Sequence, residues 1–471
     1  MKLLKNYVYQ LIFQLLNIIT PLLTLPYITR VLGAENLGEY TYSLSIITYI
    51  LMFADLGIKI YGNRKIAYLR DNEEEKSKVF WELFYQKFIL SFLIFIGTIL
   101  FFKIKEYKVL YLLQSVTILS NIFDISWFFQ GIEDFKKITL RNFLSKILLL
   151  FSIFIFIKKP EDIILYALLT VGINFLSNLT LWISLKKHIN FKNIFEVKSF
   201  KNIKESFQLF LPQIAISIYT LLDKIMIGYL SDKENVSFYD ISNKLVILSM
   251  ILITTTGGVF LPRISNLYSN KKFDEIKEMV YKTSGIFSVI SLPLIFGIIA
   301  VSDNLIKLLL PIEYFPVACS LKIMAITIIF WTYNNITGSQ LLIPMGMENK
   351  LTISVVVGAV VNVVLNYFLI KQQGALGATI ATVITEGIVT SIQIYYVRDF
   401  FRIRVSSFVK AFIGSLGMYI LIAPLNNLFY QIGLGVGIYF IILIILKENV
   451  LFENINLVRD ILKKRQLKFQ K

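Results

Sequence analysis

This sequence predicts an all-α polytopic membrane protein with about fourteen transmembrane helices, and three observations carry that reading. Hydrophobic residues make up 56% of its 471 positions, and its mean hydropathy is +0.67. Charged residues make up 17%, where a soluble domain carries roughly a quarter, and they gather between long apolar runs. Each run is about 20 residues or longer, enough for a helix to cross roughly 30 Å of hydrocarbon. A closed barrel would instead show alternating segments of about ten residues, and the sequence has none.

The expected spans are 8–32, 37–62, 79–102, 107–131, 138–157, 163–185, 205–230, 236–262, 280–301, 316–344, 351–370, 374–397, 405–423 and 425–446. The first follows Met1-Lys2-Leu3-Leu4-Lys5, holds Gln10, Gln14 and Asn17, and lacks an A-x-A-like cleavage site, so it reads as a span and not a removable signal. The last pair is parted only by Pro424 and Asn426-Asn427, a minimal turn. Asp303 to Leu310 reads as a short interfacial helix on the outer side, and the tail from Glu448 as a solvated basic helix. The basic loops 186–204 and 263–279 suit an anionic inner leaflet.

An even number of spans puts both termini on one side, and the cations test this. Of 48 Lys and Arg, 32 fall on the terminal side, 9 on the other and 7 within spans. The excess makes both termini cytoplasmic. It also assigns the net charge of +17 to loop orientation rather than to nucleic acid. One Cys (Cys319) excludes a disulfide within the chain, and one His (His188) excludes a multi-histidine metal site.

An internal repeat is visible. Glu35-Asn36-Leu37-Gly38-Glu39-Tyr40 and Glu234-Asn235-Val236-Ser237-Phe238-Tyr239 both fit E-N-[LV]-[GS]-x-Y, 199 residues and six spans apart. An even separation makes the repeats parallel, related by an axis along the membrane normal. The organisation that follows is an N-terminal lobe 1–186 (spans 1–6), a basic cytoplasmic linker 187–204 and a C-terminal lobe 205–397 (spans 7–12). Spans 13–14 then cover 398–446, and a basic tail covers 447–471.

Ionised side chains within a span cost about 2.5–3.5 kcal/mol on insertion scales, so each should face a cavity or a partner. Asp55 and Lys59 lie four apart in span 2, and Asp240 with Lys244 repeats that spacing in span 8. A local i,i+4 ion pair accounts for them as well as a polar lumen does. Asp223 and Lys224 are neighbours that point about 100° apart and cannot simply neutralise one another, which favours a lumen. Asp124, Lys146, Lys322 and Glu386 are divided between helix–helix bonds and substrate or ion coupling. Arg30 and Arg64, at opposite ends of spans 1 and 2, either snorkel to the interface or hold a phosphate.

Span 10 gathers Trp331, Tyr333, Asn334, Asn335 and Gln340, and Asn362 and Asn366 share a face of span 11. Amides of this kind bond between helices; beside aromatic faces they also suit sugar hydroxyls. Pro21, Pro26, Pro212 and Pro293 fall inside spans and should bend them. No P-loop, nucleotide fingerprint, nucleophile elbow or metal-ligand cluster appears, so no cofactor is expected and the chain reads as a secondary carrier.

The run Pro26-Tyr27-Ile28-Thr29-Arg30-Val31-Leu32-Gly33-Ala34-Glu35-Asn36-Leu37-Gly38-Glu39-Tyr40 resembles bacterial flippases of O-antigen and capsule repeat units, in the multidrug/oligosaccharidyl-lipid/polysaccharide exporter superfamily. The likeness continues in Phe53-Ala54-Asp55-Leu56-Gly57-Ile58, Tyr61-Gly62-Asn63-Arg64-Lys65-Ile66-Ala67 and Trp127-Phe128-Phe129-Gln130-Gly131. It recurs in Leu222-Asp223-Lys224-Ile225-Met226-Ile227-Gly228, Leu261-Pro262-Arg263 and Leu342-Ile343-Pro344-Met345-Gly346. The resemblance implies a carrier of undecaprenyl-pyrophosphate-linked oligosaccharide that works by alternating access in the bacterial inner membrane. It implies H+ or Na+ as coupling ion, a glycan polymerase and a chain-length regulator as partners, and Arg30, Asn63, Arg64, Asp223 and Lys224 as the matching polar residues. Val236-Ser237-Phe238-Tyr239 departs from the usual Val-Gly-Tyr-Tyr and puts the hinge there in doubt. A drug exporter or a lipid II flippase of the same superfamily stays open. A membrane-embedded glycan polymerase or ligase would need a sizeable outer loop, and the longest outer loop here is about fifteen residues.

Overall fold

The computed structural model describes residues 2–104, 109–191, 202–451 and 453, and among these it has helices and no strands. In chain order the α-helices are α1 (Lys2–Asp55), α2 (Ile58–Tyr68), α3 (Glu73–Ile104), α4 (Val109–Ile122), α5 (Ser126–Gly131), α6 (Phe135–Phe156) and α7 (Ile163–Leu185). There follow α8 (Ile203–Leu230), α9 (Lys233–Ser269), α10 (Phe273–Leu309), α11 (Pro316–Met324) and α12 (Thr327–Asn334). The last three are α13 (Glu348–Tyr396), α14 (Val405–Ile422) and α15 (Leu428–Ile445). Among the described residues, eight helices are long and apolar enough to cross a bilayer, or ten if each bent pair, α1 with α2 and α11 with α12, counts as one span.

Two of the longest helices each cover two expected spans and turn at a glycine. Gly33 (φ 76, ψ 169) breaks α1 and Gly374 (φ 54, ψ −126) breaks α13. Both have positive φ, which glycine reaches without steric cost. With those breaks, fourteen passes are consistent with the described helices. Between α14 and α15 the minimal turn exists: Phe429 N and Tyr430 N donate to Asn427 Oδ1 at 2.9 and 3.2 Å, capping α15.

Two expectations are corrected. Asp303 to Leu310 is not a separate interfacial helix but the last turns of α10. No breaker interrupts the ladder there. Glu448 does not begin a solvated end: it is 1% exposed, and Ser407 Oγ donates to its Oε1 at 2.6 Å. Residues 454–471 and most of the basic linker lie outside the described residues.

The chain forms two compact units, Met1–Ser237 and Phe238–Lys471. In the first, Phe80, Trp81, Trp127, Phe128 and Phe129 form the centre of a buried cluster with Ile58, Tyr61 and Leu181. Phe80 stacks on Trp127 at 5.6 Å between ring centroids, and Gly62 leaves the space that Trp127 fills. The Trp127–Gly131 motif is thus the packing piece that fixes α2, α3 and α7 around α5. In the second unit, Met418, Ile422, Tyr439 and Leu443 join α14 to α15 and pack against α10. Leucines and isoleucines elsewhere on the helices stand exposed, Ile183 at 75% and Leu176 at 60%. Such a surface suits lipid, not water.

The repeated hexapeptide and the turn after it bond at corresponding positions, with some change of acceptor atom. Asn36 Nδ2 donates to Leu32 O at 3.0 Å, and Asn235 Nδ2 to Ser231 Oγ at 3.0 Å, each four residues back. Ser43 Oγ donates to Glu39 O at 2.8 Å and Ser242 Oγ to Phe238 O at 2.9 Å, again 199 residues apart. Tyr40 Oη donates to Thr170 Oγ1 at 3.1 Å, and Tyr239 Oη meets Thr382 Oγ1 at 3.0 Å.

Candidate functional site

The first unit holds an ionic cluster at the bend between α1 and α2. Leu56 (φ 43) and Gly57 (φ 76) make that break, and the two helices meet at 40°. Gly57 is required twice over, because a Cβ there would lie 2.3 Å from Ser206 O. Asp55 precedes the break and Lys59 follows it, and each finds a partner elsewhere in the unit. Lys59 Nζ lies 3.4 Å from Asp124 Oδ2. Asp55 Oδ1 lies 3.6 Å from the Nζ of Lys87, a residue of α3 that is 1% exposed. Lys87 Nζ also donates to Asp124 O at 2.9 Å.

Asp124 occupies the gap between α4 and α5, where Ser126 N donates to its Oδ1 at 3.1 Å. From α6, Arg141 Nη1 approaches the same oxygen at 3.5 Å and donates to Asn178 Oδ1 at 3.0 Å. The cluster thus sets three basic side chains (Lys59, Lys87, Arg141) against two carboxylates (Asp55, Asp124), a formal excess of one basic group. Lys59 keeps 42% of its side chain exposed, while Asp55, Lys87, Asp124 and Arg141 are largely enclosed. Charges brought out of water at this cost suit an anionic ligand that completes the balance.

Other first-unit candidates stand outside the cluster. Arg30 is exposed, with Nη1 donating to Pro26 O at 2.8 Å. Arg64 is exposed, its guanidinium 5.9 Å from the Tyr68 ring centroid. Asn63 Nδ2 donates to Gln130 Oε1 at 3.5 Å. Asp223 is buried in α8 and Lys224 half-buried, and Lys146 is half-buried on α6.

In the second unit Asp240 and Lys244 pair within α9 at 2.5 Å, as the i,i+4 spacing allows. Asn334 Nδ2 donates to Glu386 Oε2 at 3.0 Å, and Thr390 Oγ1 donates to Asn334 Oδ1 at 2.9 Å. One turn on, Thr337 Oγ1 donates to Gln393 Oε1 at 2.7 Å. These bonds tie α12 and the π-helical segment Asn335–Leu342 to the second limb of α13. The wide π turn also seats Gln340, whose Nε2 donates to Asn335 Oδ1 at 2.9 Å; such turns recur at functional sites. Asn366 Nδ2 donates to Asn362 Oδ1 at 2.9 Å, both fully buried. Trp331 is half-buried on α12, and Lys322 pairs with Asp303 at 2.7 Å.

Sequence reasoning missed Lys87 and Arg141. The criterion that selects Lys146, a lone cation in an apolar run, also selects Lys87; Arg141 is hidden by its place among loop cations. It missed Glu82 and Asn202 too: Tyr61 Oη donates to Asn202 Oδ1 at 3.0 Å, and Asn202 Nδ2 to Glu82 Oε2 at 2.8 Å.

Comparison with known proteins places this geometry. Residues 3–268 match the family described as "Polysaccharide biosynthesis protein", and residues 209–368 match the MatE family. The chain is 24% identical over 410 residues to a protein of Escherichia coli (strain K12) named "Putative O-antigen transporter", covering 84% of this chain and 96% of that one. It is 21% identical over 403 residues to the Staphylococcus aureus "Capsular polysaccharide biosynthesis protein CapF", covering 83% and 98%. Among solved structures, "Lipid II flippase MurJ, inward closed conformation" matches with a TM-score of 0.78 at 17% identity, over 95% of this chain and 100% of that one. An inward-facing multidrug resistance MATE family transporter matches with a TM-score of 0.64 at 14% identity, over 83% and 96%. With more than half of its length matched and the exporter fold shared from end to end, the chain belongs to the polysaccharide biosynthesis protein family.

Proposed function

We propose that the chain is a flippase that carries an undecaprenyl-pyrophosphate-linked oligosaccharide repeat unit from the inner to the outer leaflet by alternating access. It is a multi-pass membrane transporter and not an enzyme. The observation that carries the reading is the cluster of Lys59, Lys87 and Arg141 against Asp55 and Asp124, with its formal surplus of one basic group. A pyrophosphate esterified at both ends carries about two negative charges, more than enough to offset that surplus. Arg30, Asn63, Arg64, Asp223, Lys224, Asp240 and Lys244 are further polar residues of the translocation path. Trp331, Asn334, Gln340, Asn362, Asn366 and Glu386 offer amide, carboxylate and ring surfaces to the sugars. An H+ or Na+ gradient drives the cycle, the lobes 1–186 and 205–397 do the moving, and both termini face the cytoplasm. A glycan polymerase and a chain-length regulator receive the product.

The full-length relatives named for O-antigen and capsule support this substrate over lipid II. The MatE match supports the superfamily, while the mixed-sign cluster argues against a cationic drug. Deleting the gene should trap undecaprenyl-linked oligosaccharide on the cytoplasmic leaflet. Wild-type protein should clear it, and Asp124→Asn should not. Rescue of cells lacking their lipid II flippase, with no effect on surface glycan, would overturn the proposal.

A further inference from the structure

Beside the ionic cluster, and sharing Arg141 with it, the first unit has a groove of about 320 Å³ along the surface shared by α6 and α7. On α6 its wall is the i, i+4 ridge of Leu144 and Leu148, and on α7 it is Leu176, all more than half exposed. The floor is low because α7 presents Ser177, Thr180 and Ser184 there. One end is cationic: Lys137 and Arg141 line it, one helical turn apart.

The carboxylates facing that end are Asp134, 3.0 Å from Lys137 Nζ, and Asp124, 3.5 Å from Arg141 Nη1. Lys137 Nζ also lies 2.9 Å from His188 Nε2. Lys136, Lys186 and Lys187 flank it on the adjoining segments, so the rim keeps an excess of positive charge. From Lys137 to Leu148 the helix rises about 16 Å, close to half of the roughly 30 Å hydrocarbon thickness. The groove therefore has the depth of one leaflet, an apolar wall and a cationic mouth.

We propose that this groove seats one acyl chain of an anionic phospholipid, with its phosphate at Lys137 and Arg141. The Lys137 ammonium supplies the direct charge-assisted contact to the phosphate; Arg141, whose Nε and Nη2 donate to Asn142 Oδ1 at 3.1 and 2.8 Å, adds its positive charge beside it and is the cation that also touches Asp124. Occupancy of the groove thereby bears on the ionic cluster, and the lipid acts as a regulator distinct from the cargo. The inference stands without the proposed substrate, because it concerns a lipid that is not transported.

The test is native mass spectrometry of the full-length protein in detergent with phosphatidylglycerol or phosphatidylcholine. Wild-type protein should retain phosphatidylglycerol in preference to phosphatidylcholine. Lys137→Gln should cut that retention about tenfold, the loss of one charge-assisted phosphate contact. Leu144→Trp, which fills the groove, should abolish the preference; Ser177→Leu narrows it from the other wall and replaces Leu144→Trp if that variant does not fold. Equal retention of both lipids by wild-type protein overturns the proposal. Unchanged retention in Lys137→Gln and a groove-filling variant also overturns it, as does displacement of phosphatidylglycerol by equimolar undecaprenyl phosphate.

Discussion

Lys87 shows how much one side chain can carry. It is the least exposed member of the cluster; its Nζ lies 3.6 Å from Asp55 Oδ1 and donates to the backbone oxygen of Asp124. Removing one member of a buried pair strands the other, at about 3–5 kcal/mol. Lys87→Met should therefore lower the thermal stability of the detergent-solubilised protein, and Lys87→Met with Asp55→Asn should recover much of the loss. A double variant as unstable as the sum of the singles would deny the coupling. His188 makes a second test. Burial pushes its imidazole below its ordinary value, and the neighbouring Lys137, Lys76 and Lys187 push the same way, while Asp134 opposes them. The unfolded chain then binds the proton more readily, so this corner is most stable above about pH 6.5 and loses stability as pH falls through the folded value. Wild-type protein should lose more melting temperature than His188→Gln between pH 7.5 and 5.5, values chosen about one unit either side of the ordinary pKa.

Elements were more legible than partners. Runs of apolar residues locate helices because hydrocarbon depth sets their length, and Gly374 falls at the start of an expected span because a turn needs its φ. The repeat was legible in six letters, and Tyr40 and Tyr239 each bond a threonine, Thr170 on α7 and Thr382 on the second limb of α13. What stayed hidden was which helix each charge faces. Spacing of four offers Asp55 to Lys59, but two residues of positive φ between them give each a different partner, Lys87 for Asp55 and Asp124 for Lys59. Arg141 could not be separated from loop cations by composition, because its role depends on Asn178 from α7 and Asp124 from the α4–α5 gap. At the scale of the helix, Gly374→Ala puts a Cβ where φ is +54, at a cost of about 1–3 kcal/mol. Less folded protein should accumulate in the membrane, read by detergent extraction and size-exclusion chromatography; an unchanged yield and melting temperature would show that the turn tolerates a side chain.

At the scale of the molecule, charge asymmetry makes a claim about sidedness that one residue can check. Cys319 is exposed near the start of α11, at the end of a span reckoned to face outward. A membrane-impermeant maleimide should label it in intact cells. In a Cys319→Ser background, Lys187→Cys should react only after the membrane is opened. The reverse pattern would invert the topology and, with it, the direction of transport.

The bend at Leu56–Gly57 has one more consequence. Where the backbone stays helical, as in α9, an acid and a lysine four apart close on each other: Asp240 holds Lys244. Where it is broken, the two part company: Asp55 goes to Lys87 on α3 and Lys59 to Asp124 in the α4–α5 gap. Straightening the segment would trade those two contacts for one within a helix. The angle of this joint therefore decides which carboxylate holds Lys59, while the count of charges in the cluster stays the same.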